Sequence, residues 1–161
     1  MVHTEISLFL KNAPGQLAVL SELLGKKKIN IDALTIQDAS SYVRALFKER
    51  GKSLNRIASA ASYNSVRRDS VDFALVRLIV DRTDEAINIL SKKGYVFDIT
   101  PVIVLTLKNR PGELAKISKK FGKEKININY VYGSVFSTDK CILVFCPEDI
   151  DHASRIFNLK K

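Results

Sequence analysis

Lys11-Asn12-Ala13-Pro14-Gly15-Gln16-Leu17-Ala18 returns as Lys108-Asn109-Arg110-Pro111-Gly112-Glu113-Leu114-Ala115, and Lys28-Ile29-Asn30-Ile31-Asp32 returns as Lys125-Ile126-Asn127-Ile128-Asn129. Both recurrences carry the same offset, 97 positions (108 − 11 and 125 − 28). Self-similarity at one fixed offset, with no gap in between, marks two copies of one unit.

Each copy opens on an alternating stretch, Ile6, Leu8 and Leu10 matching Ile103, Leu105 and Leu107, which is the period of a half-buried strand. Asn-x-Pro-Gly breaks that strand. Proline lacks an N–H that the first helical turn would leave unpaired, so helices are predicted to start at Pro14 and Pro111 with Ala13 and Arg110 as weak caps. Leu17, Leu20 and Leu24, matched by Leu114, Ile117 and Phe121, then supply an apolar stripe at helical spacing. Gly25 and Gly122 close or loosen these helices, and Ile29-Asn30-Ile31 and Ile126-Asn127-Ile128 begin second strands.

In the first copy Val71 to Val80 reads as a third strand, Thr83 to Lys93 as a second helix and Tyr95 to Ile99 as a fourth strand, giving βαββαβ. The second copy repeats the order through Lys140 to Cys146 and Pro147 to Phe157. Only Asn158 to Lys161 remain after that helix, so the second sheet is expected to lack its last strand, or to have that edge covered by another element or subunit. The fold class is α+β with antiparallel sheets, divided into residues 1–100 and 101–161. Tyr95 to Ile103 leaves no flexible linker, so the two units are expected to form one rigid body.

Where the second copy has a short turn from Tyr132 to Asp139, the first carries an insertion, residues 39–68. Its basic residues are Arg44, Lys48, Arg50, Lys52, Arg56, Arg67 and Arg68, against Glu49 alone, and Ser41 to Arg50 and Ser53 to Ala61 have helical composition divided by Gly51. Such a charge run is ordinarily a solvated face, the competing reading being a surface for a partner.

The 161 residues carry a net charge of +9, which favours nucleic acid or other anionic partners until the charge is located. Much of it lies in Lys26 to Lys28, Lys119, Lys120, Lys123 and Lys125, at helix ends where cations complement the carbonyl pole. Cys141 and Cys146 lie five apart on one predicted strand and face opposite sides, so they cannot pair there. Their spacing fits no zinc pattern, and His3 and His152 have no nucleophile in a recognisable context, so no metal, cofactor or catalysis is expected. No apolar run approaches the roughly 18 residues of a spanning helix, and a cytoplasmic protein is expected.

Asn-x-Pro-Gly-x-Leu after a strand, followed by Ile-Asn-Ile on the next, resembles the ACT domain, and both copies carry it. Val71 to Asp81 is similar to the third strand of stand-alone tandem ACT proteins. The resemblance implies ferredoxin-like units and a regulatory module that binds an amino acid or related effector where such domains meet, typically as a homodimer and with possible protein partners. The implied ligand contacts in the first unit are Asn12, Ala13, Gly15, Gln16 and Leu17 with Asn30, Ile31 and Asp32. In the second they are Asn109, Arg110, Gly112, Glu113 and Leu114 with Asn127, Ile128 and Asn129. Amides at Gly15 and Gln16, or Gly112 and Glu113, are expected to receive a carboxylate at the positive helix pole. Asn12 and Asn109 could bind ligand or merely stabilise the turn. Glu113 is expected to repel a carboxylate in the second site, with Arg110 offsetting it.

Two other readings share the element order or size. Leu8-Phe9-Leu10-Lys11-Asn12 looks like the first strand of an RNA-recognition domain, but Val71 to Val80 lacks the aromatic arrangement of its stacking platform and Thr106 replaces Phe9 in the second copy. The small subunit of acetolactate synthase has an ACT-like start, yet its second half would not repeat Asn-x-Pro-Gly.

Overall fold

The structure is a computed structural model and describes residues 1–39, 73–135 and 138–159. Its elements are β1 (Val2–Lys11), α1 (Gln16–Gly25), β2 (Ile31–Asp38), β3 (Phe73–Val80), α2 (Thr83–Lys92), β4 (Phe97–Lys108), α3 (Glu113–Lys123), β5 (Ile128–Val135), β6 (Lys140–Pro147) and α4 (Ile150–Ile156). The strands form one antiparallel sheet in the order β2-β3-β1-β4-β6-β5. This is the α+β architecture of two ferredoxin-like units, fused edge to edge. The basic segment and its two expected helices lie outside the described residues.

The fusion rests on β4. Its first half pairs with β1 as the fourth strand of the first unit, and its second half, from Ile103, pairs with β6 as the first strand of the second unit. Ile6 pairs with Ile99, and 97 positions on Ile103 pairs with Val2, so an approximate twofold axis passes through the Thr4–Pro101 pair. Val2 to Thr4 therefore stand beside β4 where the second unit would place a fourth strand, and the main chain of Met1 extends the ladder to Val104. The edge expected to be missing is covered from within the chain.

The same symmetry runs through the outer strands. Ile31 pairs with Val80 and Ile128 with Pro147, each followed by a register shift. The offset is 97 in β2/β5 (128 − 31) and 67 in β3/β6 (147 − 80), the difference of 30 being the insertion in the first copy.

One face of the sheet carries the helices. Ile6, Leu8 and Leu10 bury against Leu20, Leu24, Ala86 and Leu90 in the first unit, and Ile103 and Phe145 against Phe121 and Ala153 in the second. The other face holds a third cluster, Ala33, Ile79, Val102, Val144 and Cys146, with Tyr130 and Tyr132 packed against it. Although β2 and β5 are opposite edges of the sheet, they approach one another, so the sheet curls with its helix-free face inward. Right-handed strand twist accumulated over six strands drives such curling.

The helices start later than the sequence predicts. Gly15 adopts φ 86°, ψ −14° and the Gln16 amide donates to the Ala13 carbonyl at 3.3 Å, so Ala13-Pro14-Gly15-Gln16 is a type II turn. Gly112 repeats it at φ 90°, with the Glu113 amide on the Arg110 carbonyl at 3.4 Å. Pro14 and Pro111 occupy the second position of the turn, which their fixed φ also suits. The caps are consequently Gly15 and Gly112 in place of Ala13 and Arg110. Pro147 likewise closes β6, and α4 begins at Ile150, capped by Asp149, whose carboxylate accepts from the His152 amide at 2.8 Å.

Candidate functional site

The first helical bond in each unit runs from Val19 to Gly15 and from Lys116 to Gly112, and no side chain caps either helix. The turn engages the amides of Gln16 and Glu113 at 3.3 and 3.4 Å, so either would receive a carboxylate only by giving up that bond. The open donors of the first turn are instead those of Leu17 and Ala18, and of Leu114 and Ala115.

Around the second turn the strands border an open cavity of about 290 Å³. Its lining comprises Leu107 and Lys108 at the end of β4, Asn109 and Arg110 in the turn, Glu113 and Leu114 on α3, Gly133 and Ser134 on β5, and Cys141 and Leu143 on β6. Asn109 fixes this arrangement: its amide donates to the Asp139 carbonyl at 2.8 Å and its side chain to the Thr138 carbonyl at 3.4 Å. That is the turn-stabilising role, and it leaves the side-chain oxygen of Asn109 as an acceptor.

Glu113 is tied to Lys116, one helical turn on, at 2.7 Å. This bond, helped by the charges of Lys116, Arg110 and Lys108, holds its carboxyl below the usual carboxylate range. Its negative charge is thereby screened by three cations.

Gly133 decides the shape of the floor. A side chain there would begin 2.5 Å from a methyl of its cross-strand partner Leu143, so only glycine leaves Leu143 where it lies. In the first unit the equivalent position is Ile36, and Ala13 and Gln16 replace Arg110 and Glu113. The two units thus present different chemistry at matching places. For Asn12, the hairpin corresponding to 136–139 falls outside the described residues. A larger hollow of about 580 Å³ beside α4, lined by Asp151, Ser154, Arg155, Asn158 and Leu159, includes nothing of the repeated motif.

The remaining predicted contacts lie elsewhere in their own units. Lys11 pairs with Phe73 whereas Ile31 pairs with Val80, so Asn30, Ile31 and Asp32 begin β2 about 23 Å along the sheet from Asn12 to Leu17, at ~3.3 Å per residue. Asn127, Ile128 and Asn129 are separated from Asn109 to Leu114 in the same way. The Asn30 side chain donates to Asp32 at 2.7 Å and its amide to Asp81 at 2.9 Å, so this group closes the start of the strand.

One polar cluster has no counterpart in the sequence reading. Glu5 is fully buried on the helix-free face of β1. Tyr130 and Tyr132, from β5 of the other unit, donate to its two oxygens at 2.6 and 2.8 Å, and Ser7 donates at 3.1 Å. Arg77 of β3 brings Nε to 3.7 Å from the carboxylate and stacks its guanidinium 4.1 Å above the Tyr130 ring. Burial first, and the neighbouring carboxylate second, push both phenols above the ordinary tyrosine range. Among the described residues no buried side-chain polar atom lacks a partner, no group of three or more His, Cys, Asp or Glu could hold a metal, and no helix is long and apolar enough to cross a membrane.

The family description of an ACT domain pair matches residues 43–161. Among solved structures, a protein of Bacteroides thetaiotaomicron aligns with a TM-score of 0.72 at 26% identity, covering 98% of this chain and 88% of that one. The ligand-free regulatory subunit of aspartate kinase from Thermus thermophilus aligns with a TM-score of 0.58 at 14% identity, covering 98% and 95%. Its Thermus flavus equivalent gives 0.54 at 14%, covering 98% and 94%. At 14% identity the likeness is one of fold. No curated protein matches in sequence.

Proposed function

We propose that this chain, which belongs to the family of ACT domain pairs, is a non-catalytic regulatory protein whose second unit binds a free amino acid in the cavity at the Asn109–Gly112 turn. The observation that carries this reading is the composition of the cavity wall. The open amide of Leu114 at the positive pole of α3, with Arg110 beside it, suits a carboxylate. The side-chain oxygen of Asn109 and the Glu113 carboxylate can accept from an ammonium group. Leu107, Leu114 and Leu143 offer an apolar wall to a side chain. A volume of about 290 Å³ lies at the small end of ligand pockets and has room for a single amino acid.

The first unit, with Ile36 and Ala13 at the matching positions, contributes the structural partner. Occupancy is passed on to a second copy of the chain or to a catalytic subunit.

A thermal-shift panel of the twenty amino acids tests the reading. At least one is expected to raise the melting temperature, and Arg110→Ala should weaken its binding about tenfold or more, since charge-assisted bonds to a carboxylate contribute roughly 1.5–3 kcal/mol. Gln16→Ala should leave the response unchanged. A silent panel on folded protein overturns the proposal.

A further inference from the structure

One of the strands that line the cavity, β5, also joins the two units across the inner face of the sheet. Among the described residues β5 is an edge strand, with β6 as its only ladder neighbour. Gly133 interrupts it with a residue that packs nothing of its own, which weakens a strand. Side chains alternate along β5, so Gly133 faces the cavity while Tyr130 and Tyr132 face the inner surface, where their hydroxyls end on Glu5. Glu5 sits on β1, at the centre of the sheet, between the seam with β4 and the pairing with β3.

The arrangement is one-sided. The symmetry that relates the units places Ala33 and Thr35 of β2 where β5 has Tyr130 and Tyr132, Val102 where β1 has Glu5, and Val144 where β3 has Arg77. Ala33, Val102 and Val144 belong to the apolar cluster of that face. Among the described residues, Tyr130 and Tyr132 reach the other unit through charge-assisted side-chain bonds to Glu5, and such bonds are directional where apolar contact is not.

We propose that Glu5, Tyr130 and Tyr132 form a clasp that transmits a change in the second-unit cavity to β1 of the first unit, with the two tyrosines acting as positioning residues for the cavity floor. The inference rests on the cavity being the responsive site, and concerns how its state leaves the second unit. Displacement of the β5 backbone at Gly133 shifts the tyrosines one and three residues away, and their hydroxyls cannot follow without lengthening bonds to a carboxylate that has no access to water. By linkage, loosening Glu5 must alter the cavity to the same extent.

The test needs no ligand. Amide exchange is measured residue by residue by NMR on the full chain, with Gly133→Ala as the perturbation of the cavity floor, Tyr130→Phe/Tyr132→Phe as the opened clasp, and the triple variant closing the cycle. Leu143→Ala, which alters the same floor from β6, serves as a second perturbation should Gly133→Ala fold poorly. With the clasp intact, either perturbation is expected to change exchange along β1 by about fivefold or more. With both hydroxyls removed, the same perturbation should leave β1 unchanged while still altering β5. If β1 does not respond, or responds equally without the hydroxyls, the clasp is refuted. That result stands apart from an amino-acid panel, whose silence would remove the ligand and leave the coupling measurable.

Discussion

Tyr130 and Tyr132 remain neutral phenols well above the pH at which exposed tyrosines ionise, because burial and the Glu5 carboxylate both oppose a second negative charge. A folded-state pKa raised above the unfolded value means that stability is fully present below about pH 10 and is lost as the pH rises beyond it, where only the unfolded chain releases protons. Tyr132→Phe is therefore expected to cost about 1.5–3 kcal/mol near neutral pH, the usual range for a buried bond to a charged group, and to flatten the alkaline loss. Urea unfolding at a series of pH values checks both. This cluster was out of reach of a sequence reading because its partners lie more than 120 positions apart and meet only through the curl of the sheet. A signal did exist: Glu5 and Arg77 are charges on first and third strands whose repeat equivalents are Val102 and Val144. Gly133 was similarly hidden, since its value depends on the side chain of Leu143 opposite.

At the scale of the element, the strand-turn-helix unit was legible from Pro-Gly alone, but its phase was not. Proline fits both the first position of a helix and the second position of a type II turn, and the glycine after it, at φ 86° and φ 90°, shows that the turn won. The far ends of α1 and α3 carry the opposite surprise. Lys28 and Lys125, not Gly25 and Gly122, hold the left-handed residues, at φ 57° and 55°. A lysine there bears a Cβ strain that glycine avoids, so Lys28→Gly and Lys125→Gly are each expected to raise stability by about 0.5–1 kcal/mol. Chemical unfolding of the two variants measures this, and a loss of stability would mean that the lysine stems pack against the helix ends. The same local logic explains the dispersed site: the Ile-Asn-Ile strands follow their helices back to the opposite end of the sheet, so sequence repeats at both ends of a helix cannot converge within one unit.

Taken whole, the molecule is one sheet with a pseudo-twofold seam, and each unit borrows an edge from the other. The repeat and the βαββαβ order were visible in the spacing of apolar residues, and so was the unfilled edge of the second copy. That Val2 to Thr4 would fill it was not visible, because a strand's N-terminal residues carry no mark of which neighbour they pair with. Removing residues 1–4 should therefore destabilise the second unit as much as the first, exposing the Val102–Val104 stretch of β4 and its ladder, and should still give one unfolding transition by fluorescence and circular dichroism. Loss confined to the first unit would contradict the shared seam.

Amino-acid binding at the Asn109–Gly112 turn is read by an NMR titration of the full chain with each of the twenty amino acids at millimolar concentration. At least one is expected to shift the amides of Gly112 to Ala115 together with Gly133 and Ser134, and Arg110→Ala to move the midpoint of that titration about tenfold or more towards higher concentration. No response from any of them, or shifts gathered at Gly15 to Ala18 in the first unit, would contradict that binding.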